Sequence, residues 1–152
     1  MEGNGKKART VITKAPQETF ALGVELGKKA KPGQVYCLKG DLGVGKTVLT
    51  QGFAQGLGIR EPVNSPTFTI LQSYEEGRLP LHHFDVYRVG DVEEMEEIGY
   101  EDCFYGEGVC LIEWPSLIGE ILPEDAVWIR IEKDLDRGFD YRKITVEERK
   151  RS

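Results

Sequence analysis

The chain has 152 residues, 39% of them hydrophobic and 30% charged, with a formal net charge of −6. That length suits a single domain burying roughly two thirds of its unfolded surface, and no apolar run approaches the roughly 18 residues that would span a bilayer. The acidic balance argues against a protein that grips nucleic acid broadly by itself, because phosphate neutralisation dominates that affinity.

The opening residues lack the apolar stretch of a secretory signal. Cys37, Cys103 and Cys110 lack C-x-x-C spacing, and the first and last lie in expected core strands. They read as small buried thiols of a reducing, cytoplasmic protein. Basic residues gather at both tails, as Lys6, Lys7 and Arg9 and as Arg149, Lys150 and Arg151. Such runs are either solvated ends or contacts for nucleic acid.

Residues 10–13 read as a short edge strand. A helix follows over 16–30, with proline in its first turn and Phe20, Val24 and Gly27 along one stripe. Lys31, Pro32 and Gly33 then turn the chain into 34–38, a short apolar run read as a buried strand. Next come Gly40, Asp41, Leu42, Gly43, Val44, Gly45, Lys46 and Thr47, which fit the Walker A pattern G-x-x-x-x-G-K-[ST]. A helix over 48–57, opened by Val48, completes the strand–loop–helix context that gives the pattern mechanical sense. There, backbone N–H groups close around a β-phosphate and the helix N-terminus adds partial positive charge. Lys46 would reach the β- and γ-phosphates of ATP, and the Thr47 hydroxyl would hold Mg²⁺. Without nucleotide, Lys46 is expected to be exposed.

The segment Asn64, Ser65, Pro66, Thr67 and Phe68 is hydroxyl-rich and fixed by proline. It occupies the place of a γ-phosphate-sensing switch, or of a plain connector. Residues 67–74 and 79–88 flank a four-residue loop and signal a β-hairpin. On its second strand His83, Asp85 and Tyr87 share one face, opposite Phe84 and Val86. Asp85 either meets water or orients an attacking water beside a nucleotide. His82 and His83 point to opposite faces, which disfavours a metal site between them. An acidic stretch, 91–102, reads as helix broken near Gly99; its charge is a solvated face or a docking face for a basic partner. Residues 108–113 form a buried strand ending in Glu113, the form of a Walker B acid. Trp114 follows, as core packing or as a wall of the site. Strands over 126–132 and 139–147 close the chain. The order β-α-β-α-β-β-α-β-β-β predicts an α/β fold, a P-loop NTPase-like mixed central sheet flanked by helices. One domain over 1–152 is expected, with flexible ends at about 1–8 and 148–152.

Taken in order, residues 40–47, Ser-Pro-Thr-Phe at 65–68, His-Phe-Asp-Val-Tyr-Arg at 83–88 and Ile-Glu-Trp-Pro at 112–115 form one series. That series strongly resembles the TsaE (YjeE-like) family of small bacterial P-loop ATPases over nearly the whole chain. The resemblance implies a role in making N6-threonylcarbamoyladenosine at position 37 of tRNAs that read codons beginning with A. It also implies partners, a TsaD–TsaB pair that transfers the threonylcarbamoyl group, with tRNA reached indirectly through that complex. ATP turnover by the small ATPase would reset the pair between rounds. Carried over by residue, 40–47 become the nucleotide loop, Thr47 and Glu113 the magnesium ligands, and Asp85 the acid tied to hydrolysis. Ser65 to Phe68 match the switch-like segment, and Trp114 matches the tryptophan beside the Walker B acid. Where members often carry a basic residue, this chain has Gly138 followed by Phe139, leaving Arg137 and Arg142 as candidates for that place.

Two rival classes share Walker A. A small-molecule phosphotransferase needs an acceptor pocket and an arginine-bearing lid, but the arginines here are scattered. A nucleotide-gated binding module with negligible turnover differs from the favoured reading only in rate. A GTPase is disfavoured because Asn-Lys-x-Asp does not occur.

Overall fold

The computed structural model describes residues 6–41, 44–64 and 70–149. Its frame is a seven-stranded mixed sheet in the spatial order β1-β7-β6-β2-β5-β4-β3. The strands are β1 (Lys6–Thr13), β2 (Val35–Lys39), β3 (Leu71–Tyr74), β4 (Leu81–Asp85), β5 (Val109–Glu113), β6 (Val127–Lys133) and β7 (Arg142–Arg149). The helices are α1 (Pro16–Lys29), α2 (Lys46–Gly56), α3 (Val92–Glu97) and α4 (Tyr100–Phe104). The central pairs β2–β5, β2–β6 and β4–β5 are parallel, while β1–β7, β6–β7 and β3–β4 are antiparallel. The expected α/β class and element order are what the chain adopts.

Burial explains the parallel centre. Four of the five β2 residues and all five of β5 are buried, as a strand covered on both faces requires. One face packs against α1 and α2 through Leu22, Leu26, Leu38, Leu49, Phe53 and Leu111. The other packs under α3, α4 and a 3₁₀ segment (Pro115–Ile121), through Cys37, Phe84, Met95, Phe104, Ile112 and Ile118. Burial drives the Cys37 thiol up to about 12 and raises Cys110 as well, so both are inert packing groups, as their positions in core strands suggested.

Several boundaries differ from expectation for physical reasons. The buried side of α1 is Thr19, Leu22, Gly23, Leu26 and Gly27; of the expected stripe only Gly27 is buried, while Phe20 and Val24 are half-buried. The two helices press together through glycines, so the side that approaches closest carries the small residues. A Cβ on Gly23 would collide with the Leu49 carbonyl, and one on Gly52 with the Phe20 carbonyl. Strand β1 begins at Lys6 because its backbone pairs along eight residues of β7, from Lys6 with Arg149 to Thr13 with Arg142. Residues 6–8 and 148–149, expected to be loose ends, are therefore strand; ladder hydrogen bonds do not depend on side-chain charge. Strand β7 starts at Arg142 because 135–137 form a 3₁₀ turn and Gly138, at φ 134°, redirects the chain.

Gly52→Ala is expected to lower stability by about 1–3 kcal/mol, the usual cost of overpacking a fitted interface. Gly119→Ala, where an added methyl meets nothing within 4 Å, should be close to neutral. Urea midpoints of the two variants check this, and equal midpoints would contradict the packing described.

Candidate active site

The site begins where β2 ends. After Lys39 the chain passes through Gly40, half-buried, and an exposed Asp41. A Cβ at Gly40 would stand 2.8 Å from Val44 Cγ1 and 3.0 Å from the Ile131 carbonyl, so any side chain at this turn would have to displace its neighbours. Gly45, at φ 109°, is the left-handed N-cap of α2, and no side chain caps the helix there. The first turn of α2 carries no acid either, so its orphan N–H groups and dipole are available to an anion. Val44 is buried, Val48 half-buried and Thr47 exposed. Leu42 and Gly43 lie outside the described residues, as do Ser65, Pro66, Thr67 and Phe68.

Lys46 is not exposed, contrary to the sequence expectation. Its residue is 6% accessible, and its Nζ lies 4.1 Å from the centroid of the Trp114 ring. An ammonium over an indole face is held by the ring quadrupole. Trp114 itself sits at φ 63°, the one positive-φ residue other than glycine among the described residues. A bulky side chain there costs about 1–3 kcal/mol, and such strain persists only where surroundings enforce it. Here Tyr87 packs on the indole with ring centroids 4.9 Å apart, and Pro115 follows as a buried residue. Trp114 therefore packs both on the core cluster and against Lys46 beside the glycine loop.

Strand register supplies the acids. Glu113 is the parallel partner of both Leu38 in β2 and Asp85 in β4. Both carboxylates consequently stand at the carboxyl ends of parallel strands, beside the glycine loop that leaves β2, where ligands of open α/β sheets bind. Glu113 is 5% accessible, and its Oε2 accepts a 2.8 Å hydrogen bond from Nε2 of His83. Asp85 is half-buried, and its Oδ1 accepts from the Tyr87 backbone N–H at 3.1 Å. His83 and Asp85 share a face as alternation requires, but β4 ends at Asp85 and Tyr87 turns outward, 61% accessible. His82 points the other way, 2.8 Å from Ser73 Oγ, and burial holds its pKa below the ordinary histidine value.

One contributor escaped the sequence reading. Arg142, named there only as a substitute for a missing basic residue, donates from Nε to the Val44 carbonyl at 2.6 Å. Its Nη1 donates to the carbonyls of Phe139 and Tyr141 at 2.9 and 2.8 Å. One guanidinium thus ties the β6–β7 connection to the glycine loop across 98 residues of sequence. Beside it opens a cavity of about 200 Å³ lined by Pro16, Thr19, Val44, Val48, Asp140 and Arg142. Arg137 instead pairs with Asp134 at 3.1 Å, within the same connection. No spacing rule separates Arg142 from the other arginines of the chain. The acidic segment has a local role too: Asp91 caps α3 by accepting from the Glu94 N–H, and Glu93 and Glu94 complement its first turn.

These groups suit a magnesium-bound polyphosphate. The loop offers uncapped N–H donors, Lys46 a desolvated cation, and Thr47 and Glu113 the hard oxygen donors that Mg²⁺ prefers. The family model "Threonylcarbamoyl adenosine biosynthesis protein TsaE" matches residues 13–144. The tRNA threonylcarbamoyladenosine biosynthesis protein TsaE of Bacillus subtilis is 52% identical over 130 residues, covering 86% of this chain and 79% of the relative. That of Treponema pallidum is 42% identical over 135 residues, covering 89% and 97%. The crystal structure of YdiB from Bacillus subtilis superposes with a TM-score of 0.80 at 40% identity, covering 97% of this chain and 90% of that one. The chain belongs to the TsaE family.

Arg142→Ala should release the connection over 134–141 from the glycine loop. Backbone amides there are expected to exchange at least about tenfold faster with deuterium, the loss of roughly 1.5 kcal/mol or more of charge-assisted hydrogen bonding. Unchanged exchange would show that the arginine holds nothing.

Proposed function

We propose that this chain is a magnesium-dependent ATP-binding protein whose weak or partner-stimulated ATPase activity supports threonylcarbamoylation of adenosine 37 in tRNA. It works with a TsaD–TsaB type protein pair in the cytoplasm, reaching tRNA through that complex. The named function of its relatives is tRNA threonylcarbamoyladenosine biosynthesis. No helix among the described residues is long and apolar enough to cross a membrane. The observation that carries the reading is the register that seats Glu113 between the strand feeding the glycine loop and the strand bearing Asp85.

Each residue then has a task set by its position. Gly40 and Gly45 give the loop its shape, and the first-turn N–H groups of α2 bind phosphate oxygens. Thr47 and Glu113 would hold Mg²⁺, whose charge offsets that of the phosphate oxygens when it is bound. Lys46 leaves the indole face for the β- and γ-phosphates. That exchange is favourable, because a cation–π contact is worth about 0.5–2 kcal/mol and a charge-assisted phosphate contact about 1.5–3. Asp85, at the strand end opposite Glu113, accepts the proton side of an attacking water and orients it. With few groups committed to the chemical step, slow turnover of the isolated chain is expected, leaving the rate open to control by the partner pair.

Phosphate release from Mg-ATP, by the chain alone and with a TsaD–TsaB pair, tests this. Slow release that rises at least about tenfold with the pair is expected, the effect of about 1.4 kcal/mol off the barrier. Asp85→Asn should cut release by about 100-fold or more while leaving ATP affinity unchanged. Tight binding with no stimulation, or full turnover in Asp85→Asn, would contradict the assignment.

A further inference from the structure

His83 is buried midway along β4, the strand between β5 and the edge strand β3. The ring's one hydrogen bond among the described residues runs from Nε2 to Glu113 Oε2, at 2.8 Å. Its other nitrogen, Nδ1, has no partner among the described residues. A histidine that merely fills a core usually satisfies both ring nitrogens, since an orphaned buried polar atom is costly. An ionised carboxylate only accepts, so Nε2 donates the hydrogen of this bond. The imidazole is thus arranged around a single acceptor.

That acceptor is the acid assigned to the metal. Glutamate has one more rotatable bond than aspartate, so at the end of β5 its carboxylate has more ways to point. Ligand carboxylates and histidines in metal sites are commonly fixed by hydrogen bonds from groups that never touch the ion. We propose that His83 is the positioning residue of Glu113, holding its carboxylate in one orientation so that Mg²⁺ binds at little ordering cost. The geometry is set by the sheet: His83 and Asp85 are two residues apart on β4, and Asp85 is the register partner of Glu113. A side chain reaching diagonally from 83 to 113 lies on the same face. The histidine therefore acts through Glu113 and not on the nucleotide. This inference rests on Glu113 being a metal ligand.

The test measures ATP affinity in EDTA and across a Mg²⁺ titration, by calorimetry, for the wild type, His83→Leu, His83→Gln and Glu113→Gln. In His83→Leu, affinity without metal is expected to stay within about twofold, while the half-saturating Mg²⁺ concentration rises about tenfold or more. His83→Gln, whose amide N–H can still donate to the carboxylate, should recover most of that loss. In the wild type, ring ¹⁵N shifts should report the hydrogen of His83 on Nε2. A merely structural histidine would lower affinity equally with and without Mg²⁺, and the proposal would fall. It would also fall if His83→Leu kept the wild-type Mg²⁺ dependence while Glu113→Gln lost it, which would leave the metal-site reading standing. Retention of Mg²⁺ dependence in Glu113→Gln would remove the metal-site reading itself, and the proposal with it. Should His83→Leu fail to fold, wild-type Mg²⁺ dependence in a variant that cannot donate, His83→Met, would be equally contradictory.

Discussion

The register of three parallel strands is the constraint on which the site depends. Glu113 stands opposite Leu38 on one side and Asp85 on the other. Because side chains alternate with a period of two, a slip of one residue in either pairing would turn the acids to the opposite face. The slip is prevented by burial on both sides of the sheet. Leu38 and Leu111 are committed to the layer under α1 and α2, and Cys37 and Ile112 to the layer under α3 and α4. The apolar core thereby fixes where the carboxylates emerge, and packing energy is translated into the placement of charge.

A second arrangement depends on the first. At the end of β5 the chain takes a left-handed residue, Trp114, which lays its indole under the ammonium of Lys46. The lysine is thereby kept out of water before any phosphate arrives, and part of its desolvation precedes binding. Lys46 opens α2 immediately after the glycine turn at Gly45, so helix dipole, cation and indole converge at one end of the sheet. Arg142 closes the other side of the loop by holding the Val44 carbonyl. The glycine loop is thus gripped from β5 through Trp114 and from β7 through Arg142, while its own glycines supply the curvature.

The order of elements and the ends of β2 and β5 were legible in the sequence because apolar runs, glycines and the Walker A spacing are local signals, whereas β4, expected to run to 88, stops at Asp85. Glu113 stood out because it closes an apolar run, and Asp85 because it alternates with Phe84 and Val86 within 79–88. What stayed hidden was long-range. The burial of Lys46 requires Trp114 to adopt a conformation that no propensity favours, and the Arg142 contact spans the chain. The His83–Glu113 bond depends on which strands become neighbours, and β4 and β5 are separated in sequence by α3 and α4. The face of α1 was misjudged because size, not hydrophobicity, decides the side of a helix that meets another helix through glycine. Leu42, Gly43 and the segment 65–68 lie outside the described residues, and their sequence assignments rest on pattern alone.

The central claim is that residues 40–47 and Glu113 form one magnesium–nucleotide site in which Lys46 exchanges an indole for a phosphate. Calorimetric titration of Mg-ATP into the wild type and Lys46→Ala tests it most directly. The account predicts saturable binding to the wild type and a loss of roughly 10- to 100-fold in the variant, the equivalent of one charge-assisted contact of about 1.5–3 kcal/mol. Equal affinity in the two proteins, with both folded, would contradict it.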